Sequence, residues 1–192
     1  MPVKILEIRW HGRGGQGVKT AAMLFAEAAI EGGKHVQGFS DYGPERSGAP
    51  IQGFTRLSDN PIHLHNFITD PDVVVVLDPT LLGTVGVTEG LKKNGKVLVN
   101  SSHDPAELAA KLGVDKGQVF VVDAKKISLE TMGRDMPNSP MMGALVKVVG
   151  LVELPWINQT FEKKFGAKSE KVVADNVAAV KRAYDEVRGA AG

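Results

Sequence analysis

Residues 4–39 read KILEIRWHGRGGQGVKTAAMLFAEAAIEGGKHVQGF, and this stretch decides the fold class. Lys4–Trp10 alternates and is rich in Ile, Leu and Trp, the pattern of a strand with one buried face. A glycine loop, His11–Gly17, comes next. From Val18 to Glu31, Ala21, Ala22, Leu24, Phe25, Ala28 and Ala29 recur at helical spacing, and Gly32-Gly33 stops the helix. His35–Phe39 is a short second strand. This opening predicts an α/β fold: a mostly parallel sheet flanked by helices, with a Rossmann-like beginning.

Further along, Ser40–Pro50 (SDYGPERSGAP) has the composition of a loop. Ile51–Leu57 alternates again as a strand. Val73–Leu77 (VVVVL) is a continuous apolar run, as expected of a central strand covered on both faces, and Lys96–Asn100 and Gln118–Val122 resemble it. Helices are expected at Pro105–Leu112, Met141–Leu151 and Val172–Val187. No internal repeat, low-complexity tract or linker interrupts the chain, so one domain over residues 1–192 is expected.

Composition narrows the function. Of 192 residues, 43% are hydrophobic and 23% charged, which is ordinary for a globular chain. A formal net charge of +1 offers no general attraction to nucleic acid or a membrane surface. Aromatic residues are 6% and no basic stretch is interleaved with them, against a single-strand binder. No uncharged apolar segment reaches the roughly 18 residues of a membrane span. Met1–Ile5 runs straight into a strand-like segment without a signal-peptide layout, so a soluble cytoplasmic protein is expected. Cysteine is absent, which removes disulfides, thiolate metal sites, a cysteine nucleophile and the usual ligands of iron–sulfur clusters.

The glycine loop carries the clearest motif. Gly12, Gly14 and Gly17 have dinucleotide-fingerprint spacing and lie between strand and helix, where backbone N–H groups and the helix dipole can hold an anion. Gly15 and Gln16 complete the turn, Arg13 adds a cation, and Thr20 offers a hydroxyl from the first helical turn. Two nucleotide patterns fit poorly. The acidic residue expected near the end of the second strand is represented only by Asp41, which falls late. The phosphate-loop lysine should follow the last glycine directly, but Val18 intervenes before Lys19. A tight packing turn and a phosphate site therefore stand as equal readings, with a dinucleotide site behind both.

Other residues have plainer readings. His63-x-His65 lacks a third ligand and reads as a surface pair. Asp78 closes the Val73–Leu77 strand at the carboxyl edge, where open sheets bind ligands, but a local cap is the simpler account. Asn100–Asp104 could line the same crevice, and the capping of the next helix is favoured. Pro140–Val152 is apolar on nearly every side with Lys147 its one charge, so it is either a core helix or faces a partner. Gly143 and Gly150 would allow another backbone close to it. No nucleophile, base and orienting acid come together in a recognisable context.

Trp10–Ala22 (WHGRGGQGVKTAA) resembles the opening signature of gamma subunits of 2-oxoacid:ferredoxin oxidoreductases. Tyr42–Pro50 (YGPERSGAP) resembles the second signature, in the form associated with pyruvate-type members. In many members of that family the arginine stands one position further on than Arg46 does after Glu45. Asn138 with Met142–Leu145 resembles a third block, and Asn176 fits the closing helix. The likeness runs through almost the whole chain, in order.

The resemblance implies a non-catalytic subunit of an enzyme that decarboxylates a 2-oxoacid oxidatively. That enzyme uses thiamine diphosphate, magnesium, iron–sulfur clusters and coenzyme A, passes electrons to ferredoxin, and has alpha, beta and delta-type subunits. This chain has no cysteine and no Gly-Asp-Gly stretch followed by paired asparagines, so cluster and thiamine chemistry are expected on partners. Its implied role is assembly, with help in holding coenzyme A. The loop containing Tyr42, Pro44, Glu45 and Arg46 is expected at a subunit contact. Two alternatives use the glycine loop differently: a free-standing NAD(P)-dependent oxidoreductase and a nucleotide-binding regulatory domain.

Overall fold

The computed structural model describes residues 5–41, 48–167 and 169–190. Within them, one sheet of seven strands takes the order β2-β3-β1-β4-β5-β6-β7. The strands are β1 (Ile5–Arg13), β2 (His35–Ser40), β3 (Pro50–Ser58), β4 (Val73–Val76), β5 (Lys96–Asn100), β6 (Val119–Val122) and β7 (Arg188–Gly189). The helices are α1 (Val18–Glu31), α2 (Pro105–Leu112), α3 (Ala124–Met132), α4 (Asn138–Val149), α5 (Leu154–Phe165) and α6 (Glu170–Glu186).

The opening is the expected strand, turn and helix, with one difference in how it closes. Strand β2 does not pair with β1. The antiparallel strand β3 lies between them, bonded to both. Strands β1, β4, β5 and β6 run parallel, so most of the sheet has one direction, as expected. Helix α1 sits close over the inserted strand because both strands beneath it carry glycine at the contact. A Cβ on Gly38 would lie 3.2 Å from Met23 Cα, and one on Gly53 would lie 3.1 Å from Ala22 Cβ.

Apolar side chains alternate between two cores. Ile8 and Trp10 of β1, Val73 and Val75 of β4 and Leu98 of β5 pack against α1, α4, α5 and α6. Val74 and Val76, Val97 and Val99, and Val119 and Val121 point the other way, against Leu108 and Ala109 of α2 and the segment around Leu81. Burial on both faces is what the unbroken valine runs require.

Local signals set most helix ends. Asp104 caps α2 through Ala106 and Glu107 N–H, Asp123 caps α3 through Lys126 N–H, and Ser169 caps α6 through Val172 N–H. Helix α4 starts three residues before the expected Met141. Pro140 falls in its first turn, where a missing N–H breaks no helical bond. Nearly all of α4 is buried, so the apolar run is a core helix among the described residues. Gly143 makes this possible: a Cβ there would lie 2.1 Å from the Val180 carbonyl oxygen of α6.

Candidate functional site

The turn between β1 and α1 is shorter than the glycine pattern suggests. Gly12 and Arg13 still belong to β1, opposite Ile51 and Pro50 of β3. The ladder even runs one step further, since Gly14 N–H donates to Ala49 O at 3.0 Å and Gly48 N–H to Gly14 O at 3.3 Å. Only Gly14–Gly17 turns the chain. Gly15 (φ 97°) and Gly17 (φ 79°) take the left-handed backbone that glycine adopts without strain. Gly12 serves packing: a Cβ there would lie 2.5 Å from Val18 Cγ2.

The turn is clasped to the end of β4. Gln16 is held at both ends of its amide, accepting from Arg13 N–H at 2.7 Å and donating to Asp78 Oδ2 at 2.8 Å. The Arg13 guanidinium donates from Nε and Nη2 to Thr80 Oγ1 at 3.2 and 3.0 Å, and from Nη1 to Gly48 O at 3.0 Å. Its Nε also lies 3.2 Å from Asp78 Oδ2. Asp78 Oδ1 accepts from Thr80 N–H at 2.9 Å and Thr80 Oγ1 at 2.7 Å. Burial pushes the Asp78 carboxyl up, but the bonds from Thr80 and Gln16 and the charge of Arg13 outweigh it and hold it below its ordinary value.

Of the sequence-predicted site residues, the structure therefore brings Arg13 and Gln16 together, with Gly14 laid against Gly48. Thr20 is exposed on the first turn of α1. Tyr42, Pro44, Glu45 and Arg46 lie outside the described residues, but the flanking Asp41 and Gly48 are tied to Gln52 and Gly14. Asp78 is a cap, as read, and also the partner of Arg13. Sequence reasoning missed that pairing, for which the sequence holds no signal.

Beside the clasp, a cleft of about 420 Å³ opens along the carboxyl ends of β4, β5 and β6, lined among others by Gln16, Asp78, Asn100, Ser101, His103 and Lys125. Open α/β sheets hold ligands at this edge. Several of its polar groups are committed to the fold: Asn100 bridges Leu77 O and Lys125 N–H, and Ser101 accepts from His103 N–H. Asn138, at the start of α4, packs against Gly17 and has a buried amide oxygen without a partner among the described residues. Asn176 is a structural residue, accepting from Ser139 Oγ at 2.6 Å.

The inserted strand weighs against the dinucleotide reading. An acidic residue that binds ribose must sit beside the glycine turn, on the strand next to β1. Here β3 occupies that place, and Asp41 follows a strand two positions away, roughly 10 Å across the sheet. His63 and His65 are exposed and outside any strand. Among the described residues no metal-binding group of His, Asp or Glu forms, and no helix is long and apolar enough to cross a membrane.

Comparison with known proteins adds the wider context. Residues 7–186 match the family model described as pyruvate ferredoxin/flavodoxin oxidoreductase. The chain is 48% identical over 191 residues to pyruvate synthase subunit PorC of Thermotoga maritima, covering 98% of each. It is 45% identical over 183 residues to the pyruvate/ketoisovalerate oxidoreductases common subunit gamma of Thermococcus kodakarensis, covering 95% of this chain and 97% of that one. The crystal structure of the Thermotoga maritima pyruvate oxidoreductase subunit PORC superposes with a TM-score of 0.87 at 44% identity, over 98% of this chain and 99% of that chain. The fold also recurs, at 20% identity and a TM-score of 0.77, as 31% of a longer chain in 2-oxoglutarate:ferredoxin oxidoreductase from Magnetococcus marinus.

Proposed function

The chain belongs to the pyruvate ferredoxin/flavodoxin oxidoreductase family, and from that premise we propose that it is the gamma subunit of a 2-oxoacid:ferredoxin oxidoreductase, with pyruvate as substrate. It acts as one component of a cytoplasmic enzyme that decarboxylates the 2-oxoacid, transfers the acyl group to coenzyme A and passes electrons to ferredoxin. The observation that carries this reading is similarity to PorC and gamma subunits over nearly the full length of both chains.

The residues present do not fit the redox groups of such an enzyme. With no cysteine the chain offers no thiolate for an iron–sulfur cluster, and it lacks the thiamine diphosphate motif. Those groups belong to alpha, beta and delta-type partners, and no chemical step runs through this chain. What it supplies is a surface and a binding turn. The amino end of α1, whose dipole favours an anion, follows directly on the turn that Arg13 and Gln16 brace, a setting that suits a phosphate of coenzyme A. The Tyr42–Pro50 loop, whose Gly48–Ala49 end is bonded to the same turn, supplies a subunit contact.

Isolation from native cells tests the reading. The chain is expected to co-purify with iron–sulfur subunits, and alone to be colourless and inactive with pyruvate, coenzyme A and a dye. Turnover by the isolated chain, or its recovery as a free NAD(P)-binding protein, overturns it. Within the assembled enzyme, Arg13→Ala is expected to raise KM for coenzyme A roughly tenfold, and more than KM for the 2-oxoacid, as loss of a charge-assisted contact would.

A further inference from the structure

We propose that Asp78 is a positioning residue for the glycine turn: it acts through Arg13 and Gln16 to hold the guanidinium and the Gly14–Gly17 backbone ready for a phosphate group. The inference rests on the reading of that turn as a phosphate site, and adds to it a residue just beyond the end of β4.

Asp78 makes more bonds than a cap requires. Capping the short turn at Pro79–Leu81 uses one oxygen, through Thr80 N–H. The other oxygen faces away from that turn, toward Gln16 Nε2 and Arg13 Nε, more than sixty residues earlier in the chain. Thr80 doubles the link, because its hydroxyl donates to Asp78 and accepts from the guanidinium. Gln16 closes the loop by binding Arg13 N–H with its carbonyl oxygen.

The result is a directed arginine. Three of its five N–H groups are spent on Thr80 and Gly48, all on the side toward β4 and the start of β3. The remaining two have no partner among the described residues, and the side chain is 32% exposed while Asp78 is 10% exposed. An ion pair with so exposed a partner adds little to fold stability. It does remove the freedom of a long side chain before a ligand arrives, which is how preorganisation raises affinity. A carboxylate behind the guanidinium also selects the rotamer that turns its free edge outward.

The test is a double-mutant cycle in the reconstituted multi-subunit enzyme, read as KM for coenzyme A and for pyruvate. Asp78→Asn keeps the shape and the Thr80 N–H bond but removes the charge behind Arg13. It is expected to raise KM for coenzyme A roughly two- to tenfold, the cost of re-ordering one long side chain on binding, with a smaller change for pyruvate. In an Arg13→Ala background the same substitution should have a clearly smaller effect, because only the link from Asp78 through Gln16 then remains. An equal effect in both backgrounds overturns the positioning role, as does an effect of Arg13→Ala with none from Asp78→Asn. If Arg13→Ala itself leaves coenzyme A kinetics untouched, the phosphate reading fails and the proposal with it. Should Asp78→Asn prevent assembly, Thr80→Val removes the bridging hydroxyl and runs the same cycle. An effect of Thr80→Val that is undiminished without Arg13 overturns the proposal equally.

Discussion

The two halves of the sheet are stabilised by different means. In β4, β5 and β6 both faces are apolar, and valines fill two cores with little but their shape to recommend them. In β2, β3 and β1 the face toward α1 is apolar, whereas the opposite face mixes the Phe39–Phe54 stack with charged side chains. Glu7, Arg9, His11 and Arg56 lie on that opposite face, and among the described residues no helix covers it. A cover without regular structure, residues 59–71 and 86–91, lies over it instead. Its carbonyls need donors, and the buried arginines provide them. Arg56, fully buried, pairs with Glu7 at 2.9 Å, donates to Asn66 O at 2.9 Å and lies 5.5 Å over the Phe39 ring. Arg9 donates to Thr69 O at 3.2 Å, Val87 O at 3.1 Å and Glu89 O. An irregular cover thus demands named polar partners, whereas a helical cover satisfies its own backbone and asks only for apolar contact.

The largest expected effect tests that distinction. Arg56→Met leaves Glu7 and the Asn66 carbonyl without their buried partner and should cost roughly 3–5 kcal/mol in urea unfolding. Val75→Ala, at a fully buried position in the other half, removes two carbon atoms and leaves a small cavity, for about 2–3 kcal/mol. If the valine change proves the costlier, the polar half does not depend on its pairs as described.

His11 sharpens the same contrast through pH. Burial, and then the charge of Arg9, push its pKa from 6.5 down to about 3. It is therefore neutral in the fold, accepting from Arg9 Nε at 3.1 Å. Between those values the unfolded chain binds a proton that the folded chain refuses, so stability rises with pH across this window and falls on acidification. The loss from this group is at most about 1.4 kcal/mol per pH unit below pH 6.5, ending near pH 3. His11→Gln should flatten the acid side of a stability–pH profile measured by urea unfolding. An unchanged profile would mean that the imidazole is not held neutral.

Much of this was readable from local pattern. Helices α1 and α2 fall where periodicity, the Asp104 cap and the glycine stops place them, and the valine runs are the central strands. Helix α3 escaped because it buries only Ala124, Ile127 and Ser128, too few apolar positions for a periodic signal. Helix α5 did carry one, with Pro155 in its first turn and Ile157 and Phe161 a turn apart. The glycine loop was legible as a turn, but its extent was not, because Gly12 and Arg13 stay in β1 only while β3 lies alongside to pair with them.

The sequence by itself determined the α/β class, the presence of a glycine turn between the first strand and helix, the Asp78 and Asp104 caps and the family, because each depends on residues near one another in the chain. Only the tertiary structure decided that β3 enters between β1 and β2 and that Arg13 meets Asp78. Both depend on which distant segments share a sheet edge. Strand periodicity specifies which face a side chain takes but not which strand lies beside it, and a charge's partner is chosen by that neighbour.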